Sequence, residues 1–431
     1  MPTNKFIIRG GKKLRGAIDV KGSKNAALPI LAATLLTSGK CRISNIPRVS
    51  DVSGMLELMK EIGSEIKWVG EDSLEIENKN ITLSKIKGDA VKKMRASILL
   101  VGPLLARFGK VENMQYPGGC SIGQRPIDVH LNAFKDLGAK IKNGKNSFSI
   151  YLDSKDVLSK DVVLEEFSVT ATENILMYLS GIDKDVRIKI AAAEPHVQDL
   201  AKFLKKMGAN ISGEGTSTIC VKGLSAPKGA RHNVVSDYIE AGTFVLMGLS
   251  VGGDIIIKNA PIDDLDFVIK KLTAAGAKIS LDRKNSTISV KSAYPGSGTK
   301  SRMAIAKIQT LPHPGIPTDL QSAFAVLATQ AKGDTLIHEP MYEKRLEQLL
   351  ELVKMGANVD LLDPHRAVIA GPVKLTGAEV AGNDLRGGAA LVIAALSARG
   401  KSTISGVEYI ERGYENLVER LRGIGADIEK I

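Results

Sequence analysis

Leu58-Met59-Lys60-Glu61-Ile62-Gly63-Ser64-Glu65-Ile66 is the first of six copies of one phrase in this chain. In each copy apolar residues at helical spacing run into a glycine. A small residue, a polar residue and Ile or Val follow. The later copies place the glycine at Gly138, Gly208, Gly276, Gly356 and Gly425, at intervals of 75, 70, 68, 80 and 69 residues. Glycine at that place suits the left-handed cap that ends an α-helix, and the residues after it begin a strand.

Upstream of each copy lies a second, more apolar stretch that reads as a helix running into a strand. These stretches cover residues 25–44, 95–111, 170–188, 239–257, 319–337 and 384–404. They are apolar nearly all round, which predicts burial. The helices leading into the glycine phrase alternate apolar and charged residues and are expected on the outside. Each unit therefore holds two helices with strands between and after them, a period too long for a solenoid. Six such units predict an α/β protein of two pseudo-symmetric domains, three units each, with buried helices inside and sheets outside. The break falls near residues 229–236. Residues 23–232 form one domain; residues 1–22 join 233–431 in the other, because Lys5-Phe6-Ile7-Ile8-Arg9-Gly10 reads as a strand with no closing partner nearby.

A chain of 431 residues with 44% hydrophobic and 25% charged residues has the make-up of a soluble, multi-domain protein. Aromatic residues are 4% of the total and there is one tryptophan, which argues against stacking platforms for single-stranded nucleic acid. The net charge of +12 admits a polyanion partner. Its lysines are scattered as pairs on predicted helix faces, which fits a solvated basic surface that steers small anions. Cys41, Cys120 and Cys220 stand too far apart for a disulfide framework or a zinc cluster. The six histidines show no metal-ligand spacing, and no dinucleotide or P-loop glycine string occurs. Neither metal nor cofactor is expected. The first residues lack the apolar centre of a signal peptide, and no apolar run has membrane-spanning length. The expectation is a reduced, cytoplasmic, soluble protein with no membrane or nucleic-acid partner.

Pro117-Gly118-Gly119-Cys120-Ser121-Ile122-Gly123-Gln124-Arg125-Pro126-Ile127-Asp128 carries the densest chemistry. Three glycines make a loop able to approach a ligand closely. Cys120 offers a thiol that can give up a proton or attack an electrophile. Arg125 offers a fork for carboxylate or phosphate. Asp128 is placed to cap the helix that follows. By themselves these residues fit a surface turn with an incidental cysteine equally well. The Gly-Gly-Cys-x-Ile-Gly-x-Arg-Pro-x-Asp string resembles the active-site loop of the UDP-N-acetylglucosamine 1-carboxyvinyltransferases, a family of enolpyruvyl transferases. Gly22-Ser23-Lys24-Asn25-Ala26-Ala27-Leu28-Pro29 resembles the start of the same family, and the likeness runs the length of the chain.

The resemblance implies the fold called an inside-out α/β barrel, with the N-terminal strand returned to the second domain and the active site in the cleft between the two. It implies transfer of the enolpyruvyl group of phosphoenolpyruvate to the 3-hydroxyl of UDP-N-acetylglucosamine, the first committed step of peptidoglycan precursor synthesis. Cell-wall biogenesis, cell shape and cell division follow as its setting. Cys120 would protonate the methylene carbon, and Asp319 would take the hydroxyl proton. Lys24, Arg125 and Arg412 would hold phosphoenolpyruvate, supported by Arg345 and Arg386. Asn25, Arg95, the run Arg125, Pro126, Ile127, Asp128 and Val129, and Ser168, Val169 and Met341 would contact the nucleotide-sugar.

Several positions depart from the family pattern. Phe167 and Thr170 stand in a string that many members read Pro-Ser-Val-Gly. His196 replaces the second Glu of Glu-Pro-Glu, and Tyr238 replaces the Arg of Asp-Arg-Ile-Glu. Tyr342-Glu343-Lys344-Arg345 varies Phe-Glu-Asn-Arg. None removes Lys24, Cys120, Arg125, Asp319 or Arg412. Two rival readings stay open at this level: a shikimate-branch enolpyruvyl transferase, and a non-catalytic paralogue that binds nucleotide-sugars or nucleic acid.

Overall fold

The computed structural model describes residues 4–85, 94–118, 123, 126–152, 159–291 and 303–431. Cys120 and Arg125, the centre of the loop quoted above, lie outside the described residues. The chain divides into two compact units. One comprises Gly22–Cys120 and Gln124–Val235; the other comprises Met1–Lys21, Ser121–Gly123 and Ser236–Ile431.

All six phrase glycines have positive φ: 110° at Gly63, 95° at Gly138, 115° at Gly208, 99° at Gly276, 89° at Gly356 and 92° at Gly425. A side chain at φ near +100° is strained, so glycine is what lets each helix stop and turn into its strand. The apolar helices are α1 (Lys24–Ala33), α2 (Val101–Phe108), α3 (Val169–Ser180), α4 (Tyr238–Val251), α5 (Gln321–Gln330) and α6 (Leu385–Ser397). The first three lie in one apolar core and the last three in another. Surfaces that are apolar nearly all round leave these helices little solvated face, and they are almost wholly buried.

Five of the six sheets repeat one four-position order. A strand lies parallel to the strand that follows the apolar helix, and the hairpin after the outer helix completes the sheet. In the second unit Leu14–Asp19 pairs parallel with Gly253–Lys258, which pairs antiparallel with Thr287–Lys291, and Lys278–Asp282 lies at the edge. Gly253–Lys258 alternates buried and exposed residues, as a half-covered strand must. The last sheet keeps the order by borrowing. Phe6–Arg9 occupies the place that the second hairpin strand takes in the other sheets, antiparallel to Lys401–Ser405 and to Asp427–Lys430. The sheet of Lys110–Gln115, Ser147–Leu152 and Ala139–Asn143 has three strands among the described residues.

Two helical segments differ from the sequence reading. The stretch beginning at Arg95 opens as a 3₁₀ helix, Arg95–Leu100, and becomes α-helical only at Val101. Pro103 has no N–H to donate and disfavours helical backbone before it. The buried amide of Asn174 then enters the gap. It accepts from the Gly102 N–H at 2.7 Å and donates to the Ile98 carbonyl at 2.8 Å, replacing the bond those two groups would otherwise share. The helix Pro195–Met207, expected outside, buries nine residues, including His196 and Asp199. Its charge lies on a narrow strip, and Asp199 pairs at 3.0 Å with buried His232 on the strand Arg231–Asn233.

Candidate active site

In the second unit Asp319 sits in the 3₁₀ turn Thr318–Leu320 that leads into α5. An acid there is favoured by the helix dipole alone, but the structure supplies much stronger partners. Arg345 Nη2 lies 2.8 Å from Oδ1 and Arg386 Nε lies 3.0 Å from Oδ2. The two guanidinium groups are almost fully buried, with side chains 2% and 4% exposed, while the Asp319 side chain keeps 28% exposure. The carboxylate is thus the one member of the triad open to a substrate. Arg345 Nη2 also donates to the Thr318 carbonyl at 3.1 Å.

Burial disfavours both cations. For Arg345 it is outweighed by Asp319, Asp384 and Glu339, and for Arg386 by Asp319, Tyr414 and Asp237, so both guanidinium pKa values rise above the ordinary range. Glu339, buried, accepts from the Thr318 hydroxyl at 2.7 Å and from the Met341 N–H at 3.0 Å, which fixes the segment carrying Met341. Met341 itself is exposed. Arg412 is half-buried in the turn after Val407–Ile410, two residues before buried Tyr414.

In the first unit Lys24 opens α1, whose N-cap Ser23 accepts from the Ala26 N–H. The Lys24 ammonium lies 3.0 Å from Asp51 Oδ2, both side chains about nine-tenths buried. Asn25 is half-buried beside it. Arg95 begins its 3₁₀ helix half-buried. Ser168 is the N-cap of α3, its hydroxyl accepting from the Ala171 N–H, and half-buried Val169 follows. Pro126 and Asp128 are exposed. Asp128 is the first helical residue of Asp128–Asp136, and Ile127 takes the cap position foreseen for Asp128. Ile127 and Val129 belong to the apolar core, leaving only their backbone groups to meet a ligand.

The departures also find their places. Thr170 Oγ1 lies 3.1 Å from His130 Nε2, whose other nitrogen meets Asn174 at 3.0 Å. Tyr238 stands edge-on to His313, ring centroids 6.2 Å apart. Lys344 is exposed and His196 buried.

Glu173 on α3 is buried, and its carboxyl pKa lies well above the usual carboxylate range, first through burial and then through Glu194. A folded-state pKa raised in this way contributes full stability below the unfolded value of about 4.3, and that contribution is lost as pH rises through the folded value. Glu173→Gln is therefore expected to melt several degrees above the parent at about pH 8 and level with it near pH 4. Parallel melting-temperature curves across that range would count against the assignment.

Sequence reasoning missed Asp51, Thr243, Glu339 and Tyr414. Asp51, Glu339 and Tyr414 act on residues that were found, and Thr243 acts through Tyr414, each from a place with no motif of its own. Among the described residues no helix is long and apolar enough to cross a membrane.

A family model described as EPSP synthase (3-phosphoshikimate 1-carboxyvinyltransferase) matches residues 8–421. The UDP-N-acetylglucosamine 1-carboxyvinyltransferase 1 of Caldanaerobacter subterraneus subsp. tengcongensis is 41% identical over 425 residues, 98% of this chain and 99% of its own. The UDP-N-acetylglucosamine 1-carboxyvinyltransferase of Treponema denticola is 41% identical over 426 residues, 99% of each chain. Among solved structures, the enolpyruvyl transferase NikO from Streptomyces tendae gives a TM-score of 0.87 at 20% identity, covering 100% of this chain and 99% of that one. EPSP synthase from Acinetobacter baumannii gives 0.73 at 19%, covering 100% of both. At such identity the two structures speak to the fold alone, and the fold they share with this chain is that of six α/β units. Matched along nearly its whole length by model, relatives and fold, the chain belongs to the enolpyruvyl transferase family, alongside the UDP-N-acetylglucosamine 1-carboxyvinyltransferases.

Proposed function

We propose that this chain is a cell-wall enzyme that transfers the enolpyruvyl group of phosphoenolpyruvate to the 3-hydroxyl of UDP-N-acetylglucosamine and releases phosphate, opening peptidoglycan precursor synthesis. The reaction adds the hydroxyl oxygen to C2 of phosphoenolpyruvate while C3 gains a proton. Phosphate then leaves, and loss of a C3 proton restores the double bond. The observation that carries the reading is the partly exposed carboxylate of Asp319 between two buried guanidinium groups. It supports Asp319 as the acceptor of the hydroxyl proton, with Arg345 and Arg386 balancing charge as it develops.

Cys120 is assigned as the donor of the proton to C3. Lys24, Arg125 and Arg412 are assigned to phosphoenolpyruvate. Asn25, Arg95, the backbone of residues 125–129, Ser168, Val169 and Met341 are assigned to the nucleotide-sugar. The Lys24–Asp51 pair supports its part: an ammonium held at a helix start by one carboxylate is aimed before an anion arrives. A cytoplasmic setting, with small-molecule substrates and no nucleic-acid partner, belongs to the same proposal.

Phosphate release from phosphoenolpyruvate tests it. Release is expected with UDP-N-acetylglucosamine and not with shikimate 3-phosphate, and Cys120→Ala is expected to abolish it. Release that survives Cys120→Ala would remove the thiol from its role. Release with shikimate 3-phosphate alone would move the chain to the branch whose name the family model carries.

A further inference from the structure

We infer that Tyr414 and Thr243 form a one-way hydrogen-bond relay that positions Arg386, and through it the carboxylate of Asp319, for proton transfer. The inference rests on the assignment of Asp319 as the proton acceptor.

Every proton in the relay has one place to go. Arg386 Nη1 lies 3.3 Å from the Tyr414 oxygen, and a guanidinium only donates, so the phenol oxygen accepts. Thr243 Oγ1 lies 2.7 Å from the Ile239 carbonyl, which only accepts, so the threonine proton points there. The remaining contact, 3.0 Å between Tyr414 and Thr243, must run from phenol to threonine. Burial raises the Tyr414 pKa against the lowering effect of Arg386, so the phenol keeps the proton this direction needs. The order is Arg386 to Tyr414 to Thr243 to Ile239.

The far end is anchored twice. Asp237 caps α4 by accepting from the Ile239 and Glu240 N–H groups at 2.8 and 3.0 Å, so the backbone around Ile239 is held on its donor side as well. The near end needs such an anchor. Arg386 touches Asp319 through Nε alone, and a guanidinium on a long stem fixed at one nitrogen can still pivot. A second point at Nη1 fixes its plane. Arg345 holds the other Asp319 oxygen through Nη2, which also donates to the Thr318 carbonyl. Of the two guanidinium groups, Arg386 is the one fixed at two nitrogens, and its fixed plane sets the direction in which the carboxylate meets a substrate hydroxyl. Small errors in such a direction cost much of the rate.

Tyr414→Phe is a clean probe because it removes one oxygen and leaves the ring, whose centroid lies 5.7 Å from the Arg386 Cζ. Turnover (kcat) is expected to fall about tenfold, with KM for both substrates changing less than about twofold. Thr243→Val is expected to lower kcat likewise, and Thr243→Ser to recover it, since serine can make both bonds. Melting curves of each variant establish that the protein measured is folded. In an Asp319→Asn background, Tyr414→Phe is expected to cost nothing further, because the relay acts through that carboxylate. An unchanged kcat in Tyr414→Phe, or an equal loss with and without Asp319, overturns the inference while Asp319 keeps its role. Near-normal kcat in Asp319→Asn alone removes the underlying assignment, and the inference with it.

Discussion

Asp319→Asn is expected to lower kcat by roughly 10²–10⁴, the usual worth of a positioned proton acceptor. The geometry makes the substitution more than a loss of basicity. A donor stands on each oxygen of the carboxylate: Arg345 Nη2 on one and Arg386 Nε on the other. The asparagine amide can offer an oxygen to one of them, and its NH₂ must then face the other. One buried guanidinium N–H group is left opposite a donor. Substrate affinity is expected to change far less than turnover, because the groups assigned to hold the anions are untouched. The check is kcat by phosphate release beside calorimetric binding of the nucleotide-sugar. A kcat within about tenfold of the parent would show that another group takes the proton.

Much of the architecture was readable because its signals are local. A glycine that must adopt positive φ and a helix with no polar face each declare themselves within a dozen residues. Six repetitions turned those signals into a count of units. What could not be read depends on groups brought together from afar. Asn174 breaks the helical ladder between Ile98 and Gly102 from more than seventy residues away, so nothing near Arg95 announced a 3₁₀ start except Pro103. The outer helix Pro195–Met207 was misplaced because His232, which pairs with Asp199, sits on a strand beyond two others.

The site divides in the same way. Lys24, Asp319, Arg345 and Arg386 were named from motifs, and the structure brings the last three into contact. Their supports, Asp51, Glu339, Tyr414 and Thr243, carry no motif, since a buried hydroxyl or carboxylate that only holds a neighbour looks in sequence like any other. Ile127 and Val129 show the limits of a motif read at side-chain level. They stand in a recognisable string, and their side chains serve the core.

Arg386→Met is expected to be the most destabilising single substitution at this site. Arg386 is 5% exposed and faces more than one acid. It bonds Asp319, and its field is the chief influence lowering the pKa of Asp237, a buried carboxyl already raised above the usual range by burial. Methionine fills much of the same volume and supplies no charge, so both carboxylates lose a counter-ion and the Tyr414 oxygen loses its donor. Removing one partner of a buried pair in this way costs about 3–5 kcal/mol. The cost has a definite pH dependence. Without Arg386, the Asp237 pKa rises further above its unfolded value of about 3.9, so its stabilising contribution is full below that value and is lost over a wider span as pH rises. The share of the deficit that comes from Asp237 should be small near pH 4 and grow towards about pH 8, on top of the share that comes from the Asp319 pair. Denaturant unfolding at a series of pH values measures it directly. A deficit that stays constant with pH would mean that Arg386 does not act as the cation facing Asp237.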